Sequence, residues 1–370
     1  MKALDVAVIG GGVVGAACAR AAALRGLEVA IFEPGPDPAA ASPASAGMLA
    51  AQIEPGDEAL LALSVRARDL YEEIAHQLHE TTGIDIGFWR AGIASIAFDE
   101  AAADRLTQDV ARQRQAGLRC DWLDGDEVRE RWPGASPDCH GALFSPEDGA
   151  VDPQALTRAC LADARRVGAT LRVERVTAVQ TAQGRVTGVV TPDGTTAVGH
   201  VVLAAGVWSS QIAGLPRPLP IEPVRGQLAA TAWPPGTPAA ILYHDHGYVL
   251  ARGAEAVLGS TMERAGFECR VTNEGLAQIF RGAVRLLPTL YQQAVRRMWA
   301  GLRPVTADGW PIIGPDPAVQ HLCYAAGHGR SGVLLAALTA DIIADLLTQA
   351  ETDVDITPLR VDRFVPPADG

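Results

Sequence analysis

The chain has no CxxC pair and no local cysteine cluster. Its six cysteines, Cys18, Cys120, Cys139, Cys160, Cys269 and Cys323, are scattered along 370 residues. That pattern argues against a zinc knuckle or a disulfide framework and for reduced thiols in a cytoplasmic protein. No uninterrupted apolar run reaches the roughly 20 residues that span a bilayer. The first residues lack the basic, apolar, small-residue order of a signal peptide. The expectation is therefore a cytoplasmic location with no membrane anchor. Basic charge is also scarce: a net charge of -12 argues against nonspecific binding to nucleic acid or to an anionic surface, yet permits a local basic pocket for a small acid. No internal repeat or low-complexity linker is visible, and neither is a Ser/His/Asp or paired-carboxylate constellation. What remains is a soluble globular chain, long enough for two domains.

The amino-terminal stretch "DVAVIGGGVVGAACARAAALRGLEVAIFE" reads as strand, tight turn, helix, Gly26 stop, second strand and terminal acid. Gly10, Gly12 and Gly15 fill a GxGxxG pattern. The first glycine permits the turn, the second lets the backbone approach a pyrophosphate, and the third lets helix and strand pack closely. The helix then points its positive end at the phosphates. Glu33 stands where an acid would hydrogen-bond a ribose hydroxyl and repel a 2′-phosphate. NAD and FAD both fit this unit. No second fingerprint for NAD(P)H follows, which favours one tightly held cofactor over a flavin reductase with two dinucleotide sites.

Further along, the loop "PGPDPAAASPASAGMLAAQ" is too long for an ordinary connector and reads as a segment folded over a ligand. Residues 58–82 carry a helical pattern with Tyr71 on its apolar side, and His76 and His79 on an exposed surface. Residues 100–132 read as a charged, helical stretch ended by "RWPG". A capped helix and strand are expected from "AVDPQALTRACLADARRVGATLRVERV", a hairpin around Gly184, and a buried strand entering a small-residue turn in "GHVVLAAGVWSS". The run "ILYHDHGYVL" reads as one strand with His244, His246 and Tyr248 on one face and Asp245 on the other. That face raises a metal site, but no convincing third ligand accompanies it, and no metal is expected. Near the carboxyl end, "LCYAAGHGRSGVLLAALTADIIADLL" repeats the strand, glycine turn and helix grammar, with a helix amino terminus at about Ser331 to Val333.

Seven stretches taken in order carry a resemblance over nearly the whole chain: GGGVVG with Glu33, "SAGMLAAQIEP", "AAGVWS", "YHDHGYVLAR", "VLGSTME", "WAGLRPVTADGWPIIGPDP" and "AAGHGRSGVLLA". The sequence resembles the glycine oxidase and D-amino acid oxidase family of FAD-dependent amine oxidoreductases, and within it the glycine oxidase branch associated with thiamine biosynthesis. The resemblance implies an α/β fold: a Rossmann-like FAD-binding domain interleaved with an α+β substrate domain built on an antiparallel sheet. The FAD domain would comprise residues 1–85, 142–218 and 308–370, the substrate domain 86–141 and 219–307.

On the same resemblance, Gly10, Gly12, Val13, Val14, Gly15 and Glu33 hold the ADP half of FAD, with Val176 by the adenine. Ser42, Ala46, Gly47 and Met48 lie toward the flavin ring, and Gly206 belongs to the "AAGVWS" turn. The span His328, Gly329, Arg330, Ser331, Gly332, Val333 and Leu334 lies against the isoalloxazine. His246, Tyr248, Met262, Arg303 and Arg330 line the substrate cavity. No cysteine stands in or beside "GLRPVTADG", so FAD is expected to be noncovalent.

The implied reaction is oxidative deamination of glycine or a small N-substituted or D-amino acid. Hydride passes to flavin N5, the imine hydrolyses to the α-keto acid, and oxygen becomes hydrogen peroxide; a same-family dehydrogenase passing electrons to quinone is the alternative. Such chemistry asks the protein for orientation and for carboxylate recognition. Arg303 suits the second task because a planar guanidinium matches a carboxylate bidentately, and Tyr248 can donate its hydroxyl to the same group. No proton-abstracting side chain is required if the amine arrives neutral. The partners expected are a small amino acid or amine and oxygen, with no nucleic acid, in a homo-oligomer.

Overall fold

In the computed structural model, which describes residues 4–53, 58–245 and 247–364, strand Leu4–Ile9 lies inside a mostly parallel sheet. Gly194–Leu203 pairs with it on one side and Val29–Phe32 on the other, all parallel. Leu322–Ala326 extends the sheet beyond Gly194–Leu203, Thr170–Arg172 extends it beyond Val29–Phe32, and Ile312–Pro315 adds an antiparallel edge. A parallel sheet covered on both faces needs apolar residues at successive positions rather than alternating ones. Accordingly Val6 and Val8 pack into one layer while Ala7 and Ile9 pack into the other.

The first layer holds the helices Val13–Leu24, Pro153–Arg166 and Gly332–Thr348. Alanines at 16, 17, 19, 21, 22 and 23 let the first of these approach its neighbours closely. On the opposite face the hairpin Ala178–Ala182 and Arg185–Thr191 contributes Val179, Val186 and Val189. Its turn lies at Gln183 and Gly184, the position expected from the sequence.

A second sheet of eight strands among the described residues runs in the order Val295–Thr306, Ile221–Ala232, Glu255–Gly259, Gly247–Arg252, Ile241–His244, Ile93–Ala97, Gly141–Ser145, Asp121–Asp124. All its pairs are antiparallel except Ile241–His244 with Ile93–Ala97. Alternation divides its faces. Ala229, Leu242 and Val249 pack with helices Gly125–Arg131 and Asn273–Leu286, while Leu228, Tyr243, Tyr248 and Leu250 pack toward Ala46, Ala50 and Ile53. The second face is the one turned to the segment expected to fold over a ligand.

Two sequence expectations give way here. "ILYHDHGYVL" is a hairpin, not one strand: it breaks after His244 at Asp245, whose φ of 42° is left-handed, and resumes at Gly247. Tyr243 therefore stands opposite Tyr248, and His244 opposite Gly247. Residues directly across an antiparallel pair share a face, so His244 and Tyr248 lie on opposite faces. His244 instead sets its ring edge-on against Phe98, with Nδ1 3.1 Å from the Ile96 carbonyl oxygen. The stretch 100–132 is likewise not helical throughout but helix Glu100–Gln115, strand Asp121–Asp124 and helix Gly125–Arg131. Gly117, at φ 78°, follows the end of the first helix, and Asp124 with Glu127 forms a capping box that starts the second.

A buried polar knot ties helix Glu58–Asp69, the segment after Met48 and helix Glu100–Gln115 together. Arg68 Nη1 donates to Asp148 at 3.0 Å and to Gln52 Oε1 at 2.6 Å, the Gln52 backbone N–H donates to Asp148 at 3.0 Å, Gln52 Nε2 donates to Gln113 Oε1, and Gln113 Nε2 donates to the Gln52 backbone carbonyl. Removing Asp148 leaves Arg68 with Asp69, half exposed and 3.0 Å from its Nε, and costs the buried bonds to the lost carboxylate, about 1–3 kcal/mol. Asp148→Ala is thus expected to lower the thermal unfolding midpoint clearly, whereas Glu80→Ala, which removes an exposed partner of His76, leaves the midpoint unchanged within error.

Candidate active site

The glycine turn forms where Leu4–Ile9 meets helix Val13–Leu24. Gly10 has φ 106°, a left-handed conformation that favours glycine, and any side chain there would run into the Ala204 carbonyl. Gly15 sits on the Gly10 carbonyl so closely that a β-carbon would overlap it. Around this turn Glu33 is held by the Gly11 N–H at 2.7 Å and the Gly35 N–H at 3.2 Å, and Ser42 Oγ accepts from the Val13 N–H at 3.0 Å. The Ser42 contact satisfies one of the otherwise unpaired N–H groups at the helix start.

A single cavity of ≈ 1130 Å³ opens from this turn. It exceeds the roughly 300–1,000 Å³ of an ordinary small-ligand pocket, as a dinucleotide with a small substrate requires. Gly10, Gly12, Val13, Val14, Glu33 and Val176 line one part, Ser42, Ala46, Gly47, Met48 and Gly206 another, and His328 to Leu334 a third, with Tyr248 and Arg303 on the same wall system. Gly15 is beneath the turn rather than on the cavity wall, and no cysteine is among the described lining residues. The amino termini of two helices, at Val13 and Gly332, both border the cavity. Each presents a partial positive charge to whatever electron-rich group lies before it.

The segment Ala46–Met48 is fixed on several sides. Gly47 accepts from the Val151 N–H at 2.9 Å, Met48 and Leu49 pair with Ala150 and Gly149, and Arg252 Nη2 donates to the Ala46 carbonyl. Trp299 Nε1 donates to the Ala44 carbonyl at 2.9 Å, joining the second sheet to the same loop. His328 is buried with Nε2 3.0 Å from Thr339 Oγ1, and burial pushes its imidazole down to about 4. It is therefore neutral at physiological pH.

Arg303 lies across Gly226 of the neighbouring strand, where a β-carbon would overlap the guanidinium. Its Nη1 donates to the Thr261 carbonyl at 3.1 Å and its Nη2 to Ser260 Oγ at 2.8 Å. Asp308, the alternative partner suggested by sequence proximity, pairs instead with Arg363 at 2.7 Å. Tyr248 is buried with its hydroxyl over Gly259, its cross-strand neighbour. Two glycines on adjacent strands thus leave room for the two carboxylate-recognition candidates. Arg330 Nη2 donates to the Tyr243 hydroxyl at 3.1 Å.

Met262 departs from this cluster: it is 45% exposed and is not part of the cavity wall. His246 lies outside the described residues. Sequence reading missed Ser260, Gly226, Trp299 and Arg252. Ser260 stood in the quoted "VLGSTME", but only strand register places it beside Arg303.

A glycine turn, two helix amino termini and a chamber larger than an ordinary small-ligand pocket fit a protein that holds a dinucleotide cofactor. The family model for FAD dependent oxidoreductases, DAO, matches residues 5–346, and the chain belongs to that family. Its cofactor is FAD, which the chamber fits in size and in its glycine-lined approach. The glycine oxidase of Geobacillus kaustophilus (strain HTA426) is 34% identical over 368 residues, covering 98% of this chain and 97% of that protein. The crystal structure of glycine oxidase from Geobacillus kaustophilus superposes with a TM-score of 0.94 at 33% identity, covering 99% of this chain and 100% of that one. The bifunctional protein ThiO/ThiG of Trichormus variabilis is 34% identical over 369 residues, 97% of this chain and 55% of that protein. The chain spans about half the length of such two-part relatives. Among the described residues no helix is long and apolar enough to cross a membrane.

Proposed function

We propose that this protein oxidises a small α-amino acid, glycine or an N-substituted glycine or small D-amino acid, with oxygen as electron acceptor. The amino acid, oxygen and water become an α-keto acid, ammonia or an amine, and hydrogen peroxide. Supporting this reading above all is the placement of Arg303 and Tyr248 in the cavity that the glycine turn opens. Likeness to glycine oxidases over nearly the full chain agrees with it.

FAD, held noncovalently, supplies the hydride acceptor at N5. The chain's own residues do the rest. Arg303 receives the substrate carboxylate through charge-assisted bonds, and the Tyr248 hydroxyl adds a direction that a point charge would not. Together they orient the α-carbon toward the wall formed by Ala46–Met48 and His328–Leu334. The helix amino terminus at Gly332 favours negative charge that develops beside it. Apolar walls from Leu228, Trp299, Val333 and Leu334 limit water around the reacting carbon. No side chain need abstract a proton if the amine enters uncharged. Residues 1–85, 142–218 and 308–370 serve FAD on this reading, and 86–141 with 219–307 serve the substrate.

A peroxide assay over glycine, sarcosine, D-alanine, D-proline and iminodiacetate tests the proposal. At least one is expected to yield one peroxide per substrate consumed. Substrate consumption with dye reduction but little peroxide would assign the electrons to another acceptor. Turnover of none of the five would overturn the substrate class.

A further inference from the structure

We propose that Ser260 is a positioning residue: its hydroxyl sets the plane of the Arg303 guanidinium and so tunes affinity for the substrate carboxylate. This rests on the reading of Arg303 given above.

The inference starts from register. Arg303 pairs with Val224 across the antiparallel strands Val295–Thr306 and Ile221–Ala232. Gly226, two residues on, presents the same face with no side chain, and the guanidinium lies over it. Gly226 alone supplies space, not orientation, because a long side chain over a bare backbone retains several rotamers. Orientation comes from the segment leaving strand Glu255–Gly259. Thr261 offers its backbone carbonyl to Nη1 at 3.1 Å, and Ser260 offers Oγ to Nη2 at 2.8 Å. Two acceptors from consecutive residues, one on each terminal nitrogen, fix the plane of a rigid fork.

The two acceptors are not equivalent. Any residue at 261 supplies a backbone carbonyl, whereas the bond to Nη2 depends on the side chain at 260. Ser260 is half-buried and borders the cavity with Arg303, so its bond is partly shielded from water. The segment is further held by Gln227, whose backbone N–H donates to Thr261 Oγ1 at 2.9 Å. That hold does not involve Ser260. Loss of the Ser260 hydroxyl should therefore loosen the guanidinium at Nη2 while Thr261 still holds Nη1, without unfolding its support.

The test uses flavin-loaded protein and acetate, a carboxylate that offers no amine to oxidise. Dissociation constants are measured by calorimetry and by perturbation of the flavin absorbance. Ser260→Ala is expected to weaken acetate binding about tenfold, the size of one charge-assisted hydrogen bond. It should raise KM for the amino acid by a similar factor while kcat changes less than about twofold. Ser260→Thr, which keeps a hydroxyl, should restore most of both. The thermal midpoint should stay at the wild-type value in each variant.

Wild-type acetate affinity in Ser260→Ala would overturn the proposal. So would equal weakening in Ser260→Thr and Ser260→Ala with lowered midpoints, which would mark a packing role. Arg303→Ala separates this proposal from its parent. If acetate binding is lost there but unchanged in Ser260→Ala, Arg303 is the carboxylate anchor and Ser260 does not position it. If Arg303→Ala binds acetate normally, the anchor itself is misassigned and both readings fall.

Discussion

Arg303→Ala is expected to lower kcat/KM for a carboxylate-bearing substrate by about 10²–10³-fold, since hydrogen bonds to a charged group contribute roughly 1.5–3 kcal/mol each. Truncation removes the donors that meet the carboxylate and opens a void over Gly226, where the side chain now lies. Water entering that void would also weaken the neighbouring Tyr248 contact. Arg303→Lys is not expected to rescue fully, because an ammonium lacks the planar fork. Flavin content should be unaffected, because the glycine turn lies on the other sheet and the Gly329 N–H bonds to the Pro304 backbone carbonyl, which the substitution leaves in place. Steady-state kinetics together with the flavin-to-protein ratio checks both halves. Loss of activity accompanied by loss of flavin would point to a structural role, and retained kcat/KM would remove Arg303 from the site.

Gly15→Val has the other large expected effect, on cofactor loading. A β-carbon at residue 15 would overlap the Gly10 carbonyl and reach the Ala204 side chain at 3.3 Å. Neither neighbour can yield easily. Gly10 is already in a left-handed turn against the Ala204 carbonyl, and the Ala204 N–H is bonded to the Ile9 carbonyl at 2.9 Å. The helix must therefore move off the strand, and with it the helix start that borders the cavity and the Val13 N–H that Ser42 Oγ holds. Overpacking costs about 1–3 kcal/mol, and with a backbone oxygen in the way the upper end applies, so FAD affinity should fall by about 10²-fold. Purified Gly15→Val protein is expected to be largely colourless, whereas Gly282→Ala, within helix Asn273–Leu286 and with open space around it, should remain yellow. Full flavin occupancy in Gly15→Val would contradict the role given to this glycine.

The parts of the fold legible in sequence were those set by local chemistry. The glycine turn at Gly10–Gly15, the Asp152-capped helix Pro153–Arg166 and the hairpin at Gly184 each announce themselves through residues that few other conformations favour. The break at Asp245 was harder, because aspartate tolerates a left-handed φ without requiring it. Tyr and Leu on both sides made continuity look equally good, although Asp followed shortly by Gly247 is a turn signal. The strand Asp121–Asp124 was obscured by charged residues on both sides; Gly117 and the Asp124–Glu127 capping box were the marks that divided it from the helices.

Most of the proposed site residues were legible because they sit in motifs that line one cavity. Ser260 and Gly226 were not. Their significance depends on which strands lie side by side, and pairings such as Val224 with Arg303 and Leu228 with Gly259 join segments far apart in the chain. Met262 shows the converse: a residue two positions from Ser260 points outward and is exposed, since its neighbourhood has already left strand Glu255–Gly259.

The central claim is that Arg303 holds a small amino acid for oxidation by the bound flavin. Anaerobic mixing of purified protein with the preferred amino acid, followed by flavin absorbance, tests it most directly. The expected result is rapid bleaching in the wild type and bleaching slowed by about 10²-fold or more in Arg303→Ala at the same subsaturating substrate concentration. Yellow wild-type protein that no small amino acid bleaches, or an Arg303→Ala variant that bleaches at the wild-type rate, would contradict it.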